Sequence, residues 1–345
     1  RLTIGFDWYR RNTTDMYTVG PTLPEVLGTT QPKGNYADLK TKGWELTLSW
    51  RDNFKLAGSD FHYGVKLMLW DSQSWITKYN NATGKLSDYY EGYRIGDIWG
   101  YNIEGLFTSY DEIANHADQD YIKVSDSKIW QPGDLKFADL NGDGKIDKGA
   151  QTLSDHGDLV IVGNEEERYH YGFNLNVGWK GIGISAFFQG VGKRDWYPGQ
   201  ETGFFWGKYN RPYGYSLKMH ENRWTEENPN PNAYWPRLVG YSSENGGRPM
   251  GTPNNRYMQD ASYLRLKALT VDYSLPQAWV SKLGLTGLKI YFTGENLFTF
   301  SNVCENFDPE VIKGGDVDLK DRKGEEQGYS YPMLKTYTVG LNVSF

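Results

Sequence analysis

The sequence predicts an all-β protein, a transmembrane antiparallel β-barrel, on three observations. The last twelve residues, LKTYTVGLNVSF, place Tyr337, Val339, Leu341, Val343 and Phe345 at every second position, with Thr336, Thr338, Gly340, Asn342 and Ser344 between them. Successive side chains of a strand point to opposite faces, so one face is apolar and the other small or polar, as in a strand with lipid outside and water inside. The composition agrees: 40 glycines, 26 tyrosines, 13 tryptophans and an aromatic content of 16% suit strands and turns. No run of about 18 apolar residues is present, which excludes a membrane-spanning helix. A barrel hides its hydrophobicity in alternation, so low mean hydropathy does not exclude a membrane.

Eight alternating segments are expected. Leu2, Ile4, Phe6 and Trp8 mark the first, residues 1–15; Trp44, Leu46, Leu48 and Trp50 the second, 41–51; and Phe61, Tyr63, Val65, Leu67 and Leu69 the third, 61–75. Tyr169, Tyr171, Phe173, Leu175, Val177 and Trp179 mark the fourth, 169–179. Its end aromatics lie about 25 Å apart along the axis at about 3.3 Å per residue and a tilt of about 40°, the height of an apolar band with an aromatic at each border. Ile182, Ile184, Ala186 and Phe188 mark the fifth, 182–192; Leu269, Val271, Tyr273 and Leu275 the sixth, 260–275; Leu288, Ile290 and Phe292 the seventh, 286–299; and 334–345 is the eighth. The sixth slips phase between Leu266 and Leu269: either a bulge lies near Ala268, or Arg265 and Lys267 face outward at lipid headgroups.

Short connections (52–60, Lys180-Gly181, 276–285) alternate with long ones (16–40, 76–168, 193–259, 300–333). Outer-membrane barrels pair short periplasmic turns with long extracellular loops. The first strand is therefore expected to run outward and the eighth to return Phe345 to the periplasm. The strand-like stretch 92–107 would break this parity inside the wall, so it is assigned to the long extracellular excursion 76–168. Arg1 opens directly on an alternating segment, so a mature or shortened chain is expected.

The net charge of −6 gives no electrostatic case for nucleic acid. The single cysteine, Cys304, permits no internal disulfide. No HExxH pair, GxSxG elbow or phosphate-binding glycine loop is present, so no enzyme is expected. PGDLKFADLNGDGKID (132–147) sets Asp139, Asn141, Asp143, Gly144, Lys145 and Asp147 at positions 1, 3, 5, 6, 7 and 9 of an EF-hand-like loop. Ala150 occupies position 12, where a bidentate Glu belongs, so a further ligand would come from Asp134, Asp155 or Asp158. The loop reads either as a structural Ca²⁺ site or as an Asx-rich turn without an ion. In 193–259, Trp196, Tyr197, Phe204, Phe205, Trp206, Tyr209, Tyr213 and Tyr215 crowd into twenty residues. They read as a platform on which sugar rings stack, with Trp196, Trp206, Tyr209 and Tyr213 as its binding residues, as a contact for a partner protein, or as packing of the loop on itself.

Taken together, GWELTLSW (43–50), PGDLKFADLNGDGKID (132–147), YHYGFNLNVGWKG (169–181), YLRLKALTVDYSLP (263–276), LKIYFTGENLFTFS (288–301), FDPE (307–310) and YPMLKTYTVGLNVSF (331–345) resemble the C-terminal part of the SusC/RagA-type TonB-linked outer membrane transporters. The resemblance implies the last eight strands of a plugged barrel of about 22 strands, with signal, plug and earlier strands outside this sequence. It also implies active import of a large nutrient, mostly oligosaccharide and in some members peptide, with a SusD-like surface lipoprotein and the TonB system as partners. Two readings compete with it. One is a self-contained eight-stranded anchor or adhesin barrel; the other is a soluble, calcium-stapled, glycan-active β-protein.

Overall fold

The computed structural model describes the chain except residues 21–25, 27, 29–30, 123–128, 200–201, 210–213, 240–249 and 313–329. The strands among the described residues are β1 (Leu2–Val19), β2 (Lys33–Leu56), β3 (Ser59–Lys78), β4 (Asp97–Gly100), β5 (Ile103–Leu106), β6 (Leu135–Phe137), β7 (Val160–Asn164), β8 (Arg168–Trp179), β9 (Ile182–Lys193), β10 (Asp195–Trp196), β11 (Gln259–Asp260), β12 (Tyr263–Ser274), β13 (Gly287–Ser301) and β14 (Thr336–Ser344). Eight of them form one antiparallel sheet in the order β1-β2-β3-β8-β9-β12-β13-β14. The order follows the chain, so the wall is a meander with its smaller strands inserted in the connections. β1 and β14 lie at opposite ends of the order, and the sheet does not close on itself.

Local chemistry sets the meander. Ala57-Gly58 and Lys180-Gly181 are two-residue turns with φ of 46° and 76°, and 49° and 82°. Positive φ at both central residues is the type I′ turn, whose twist matches the strands it joins. Between β12 and β13 a helical turn, Gln277–Val280, runs on through Ser281–Leu283 and stops at left-handed Gly284. All three short links lie at one end of the sheet and the long connections at the other.

Strand register turns alternation into two chemically distinct faces. Ile4, Leu48, Leu67, Phe173, Phe188, Leu266 and Phe298 stand side by side across the wall. On the opposite face Gly64, Asn176, Ser185, Thr270, Thr293 and Thr338 form an equivalent row, and Thr270 Oγ1 hydrogen-bonds Thr293 Oγ1 at 2.9 Å. Much of the apolar face is open: Ile4 is 60% exposed, Val339 74% and, away from the edges, Ile184 38%, whereas Leu266 is buried. Total accessible surface is 19967 Å², against about 14,000 Å² for a compact monomer of this mass. The exposed apolar face of the sheet adds to that surface.

The structure resolves the phase slip in β12. Its register shifts between Leu266 and Ala268 against both neighbours, so a bulge returns Leu264 and Leu266 to the apolar face. Arg265 and Lys267 turn to the other face, where both reach the Glu310 carboxylate at 2.5 and 2.8 Å. The wall strands also extend beyond the alternating segments: β2 has 24 residues, running past 41–51 at both ends. Backbone ladders continue wherever two strands lie together, whereas alternation is required only across lipid. Residues 92–107 supply β4, paired with β7, and β5, paired with β6; neither is a wall strand, but Gly92, Tyr93 and Ile95 make backbone hydrogen bonds to Ser74 and Ile76 at the C-terminal end of β3.

Glycines fix the register at several pairs. Tyr9 lies opposite Gly43, His62 opposite Gly178, Tyr171 opposite Gly190 and Tyr291 opposite Gly340. In each, a Cβ on the glycine would overlap the ring of its partner. The ring fills the space of the missing side chain, and a one-residue slip would drive it into a neighbour. Gly340→Val is therefore expected to destabilise the folded wall by about 1–3 kcal/mol, read as a lower urea midpoint for loss of the heat-modifiable band in electrophoresis. An unchanged midpoint would remove this role for the Tyr291–Gly340 pair.

Candidate functional site

The buried core of the chain lies in the long connections, not in the sheet. Tyr101, Phe137, Phe205, Trp206, Trp235, Tyr257 and Phe307 belong to one cluster drawn from the connections after β3, β9 and β13. Its centre is Trp235, stacked between Tyr209 (5.1 Å, 16°) and Tyr257 (5.2 Å, 22°). Trp206 meets Trp235 edge-on at 6.0 Å, and His220 lies 4.8 Å from it. The polar atoms of these rings are spent on backbone carbonyls. Trp206 Nε1 donates to Gly199 at 2.9 Å, Tyr209 Oη to Pro236 at 2.7 Å and Trp235 Nε1 to Met219 at 2.9 Å.

This arrangement decides how the aromatic residues of 193–259 can act. Trp206 and Tyr209 are 0% and 1% exposed, so no sugar ring reaches their faces. They pack the loops together instead. Trp196 is also buried, 5.0 Å from Phe307, with an indole N–H that has no partner among the described residues. Tyr213 lies outside the described residues. Among the described residues Phe204 and Tyr215 are the exposed members, with rings 6.1 Å apart.

Polar clamps join the connections to one another and to the wall. Arg237 grips Asp134 with Nε at 2.8 Å and Nη2 at 3.0 Å, and its backbone N–H donates to Gly133 O. Asp134 is fully buried and opposed by this guanidinium, which makes it a structural anion rather than a free metal ligand. Tyr101 N–H donates to Pro253 O at 2.9 Å, and Asn255 Oδ1 accepts from Ile103 N–H at 2.8 Å. The FDPE stretch holds the connection after β13: Arg265 Nη2 meets Asp308 at 2.6 Å and Nη1 meets Glu310 at 2.5 Å. Arg194 Nη1 bridges Glu167 at 3.0 Å and Pro309 O at 3.1 Å. The sequence shows FDPE as a motif, but its basic partners are distant in the chain and were not legible as such.

The calcium-like loop has a defined shape built from its own side chains. Asp139 accepts from the N–H groups of Gly142 (2.7 Å) and Gly144 (2.9 Å), Asn141 from Asp143 (2.9 Å), Asp143 from Lys145 (2.8 Å) and Asp147 from Gly149 (2.7 Å). Asp158 closes both ends, accepting from Leu140 at 2.8 Å and Asp147 at 2.9 Å. Asp155 accepts from Ala150 N–H at 3.1 Å, which brings a carboxylate beside position 12. The donor set is all hard oxygen and suits Ca²⁺. As the side chains stand, no group of three or more His, Cys, Asp or Glu among the described residues is arranged to hold a metal ion.

No protein-family model matches the chain. It is 26% identical over 360 residues to TonB-dependent receptor P3 of Formosa agariphila, covering all of this chain and 32% of that protein. It is 28% identical over 357 residues to TonB-dependent receptor P26 of the same organism, again over the whole chain and 33% of the relative. The RagAB peptide transporter structure matches with a TM-score of 0.66 at 22% identity, over 100% of this chain and 34% of that one. The RagAB peptide importer in its open-open state gives 0.67 at 21%, over 100% and 33%. The chain thus spans about a third of the length of the curated relatives it matches, and its similarity to TonB-dependent receptors runs from end to end.

His220 makes the loop core sensitive to pH. Its Nδ1 accepts from Leu217 N–H at 2.8 Å, so the proton sits on Nε2 and is donated to Phe205 O at 2.7 Å. Burial, with Arg223 nearby, holds the imidazole below its usual range. The unfolded chain therefore takes up a proton first, and stability present above about pH 6.5 is lost as pH falls toward the folded value. Loop amides around Phe205 and Leu217 should exchange faster at pH 5 than at pH 7.5, after correction for intrinsic rates, and His220→Gln should flatten that difference. Equal protection at both pH values in the wild type would contradict this.

Proposed function

We propose that this chain is the C-terminal third of the barrel wall of a TonB-dependent importer in the outer membrane of a Gram-negative bacterium. One observation supports this above the rest: an open antiparallel sheet whose register assembles a continuous exposed apolar face and, behind it, a polar one. Lipid would cover the first and a water-filled, plugged lumen would face the second. Exposed edges at β1 and β14 would pair with strands outside this chain, because an unpaired edge cannot stand in hydrocarbon. The same two features weigh against a self-contained eight-stranded barrel and against a water-soluble β-protein.

In this reading the short turns and Phe345 lie in the periplasm and the packed connections lie outside the cell. Their joint core gives a rigid rim against which a SusD-like lipoprotein closes over captured ligand. The TonB system acts through parts of the protein beyond this chain, and no chemistry is performed on the ligand. The proposed cargo is an oligosaccharide, the commoner cargo in the family the sequence resembles. Peptide is the second reading, favoured by the burial of Trp206 and Tyr209, which removes the stacking platform. A structural Ca²⁺ in the loop Asp139–Asp147 belongs to the proposal on the strength of its donor set, with Asp155 beside the vacant position 12.

Two measurements test these points. A strain lacking the protein should fail to grow on oligosaccharides too large for diffusion while growing on their monosaccharides. A defect confined to peptide media would select the second cargo, and normal growth on both would end the import reading. Chelation by EGTA should lower the melting temperature of the purified protein, with recovery on adding Ca²⁺ but not Mg²⁺; an unchanged transition would remove the ion.

A further inference from the structure

The apolar face ends at a definite height on β1 and β2, and a row of cations begins there. Trp8 stands opposite Trp44; the next pair toward the long connections on the same face is Arg10 opposite Lys42, followed by Asn12 opposite Lys40. On β3 the partners of Lys42 and Lys40 are Gln73 and Trp75. Side chains alternate without a register break through these residues, so Arg10, Lys40 and Lys42 share the face of Trp8 and Trp44. They lie one and two rungs beyond the aromatic border, on the lipid side of the wall.

These charges are available. Arg10 and Lys42 are exposed and Lys40 is half-buried. Among the described residues Arg10 Nε donates to Asn12 Oδ1, at 3.2 Å, and Lys40 Nζ lies 5.8 Å over the Trp75 ring. Among the described residues none of the three makes an ion pair. The nearby acids differ in kind. Asp71 is held by Arg168 at 2.5 and 2.6 Å, and Asp38 accepts from Asp15 N–H at 2.8 Å. Asp7 and Glu45 sit on the other face by alternation. Glu91 alone joins Lys40, Lys42 and Trp75 around a shallow recess of ≈ 290 Å³.

We propose that Arg10, Lys40 and Lys42 form a site for the phosphate groups of an anionic outer-leaflet lipid, whose acyl chains run down the rows of Phe6, Leu46 and Leu69 below. The proposal rests on the membrane placement given above. Two features select a lipid over a free anion. The cations are continuous with the apolar band, so one amphipathic ligand satisfies both. They also lie open on a surface, with no enclosing wall to hold a small ion against water.

The test uses the intact protein isolated from its outer membrane and exchanged into nanodiscs of phosphatidylethanolamine. One set of discs carries phosphorylated lipid A and the other the same lipid A with its phosphates removed; lipid retained after detergent exchange is counted by native mass spectrometry. The wild type should retain phosphorylated lipid A at least about ten-fold better than the dephosphorylated form. The combined variant Arg10→Gln, Lys40→Gln, Lys42→Gln should lose that preference, and Lys66→Gln, on the polar face, should keep it. Heat-modifiable mobility verifies that each variant folds. Equal retention by wild type and the triple variant, or equal retention of both lipids, would overturn the site while leaving the barrel intact. Displacement by millimolar inorganic phosphate would reassign it to a free anion and overturn the lipid assignment. Wild-type protein that stays in solution without detergent would instead overturn the membrane placement itself.

Discussion

Backbone hydrogen bonding governs this structure. A strand in hydrocarbon has no water to satisfy its N–H and C=O groups, so each needs a neighbour on both sides. β2, β3, β8, β9, β12 and β13 have two neighbours; β1 and β14 have one. In the proposed membrane placement the described wall is a segment of a larger one, and its edges set the terms on which it can be stable. The relatives, about three times its length, agree with that reading.

The same constraint inverts the usual placement of a hydrophobic core. In the wall, Ile4, Leu48, Leu67 and Phe173 face outward and the polar side chains face the other way. The inward-packed residues are in the connections, around Trp235. Long connections carry many backbone groups that need partners. A shared aromatic core, with Arg237–Asp134 and Arg265–Asp308 as clamps, fixes them against one another and against the sheet. Aromatic richness, which the composition shows plainly, therefore serves two unrelated ends: rings at the borders of the sheet's apolar face, and a stacked core in the connections.

Register links these parts. Rings over glycines at Tyr9–Gly43 and Tyr291–Gly340 hold alternation in phase, and the β12 bulge corrects it where Arg265 must turn to meet FDPE. A one-residue error anywhere would exchange the two faces of a strand.

The sequence by itself determined the all-β class, the eight wall segments and the alternation of short and long links, because a strand with one apolar and one polar face writes its period into every second residue. It also marked the Asp139–Asp147 turn, whose side chains bond backbone groups only a few positions away. The tertiary structure decided what depends on distant partners. Local pattern ends where the apolar face ends, so the full lengths of β2 and β3 appeared only with their ladders. The fate of Trp206 and Tyr209 turned on Trp235 and Tyr257, residues that follow them by dozens of positions, and no local spacing distinguishes a ring that binds from one that is covered. The choice between a bulge and outward-facing charges in β12 likewise waited on Glu310, because only a folded chain shows which face holds the counter-charge.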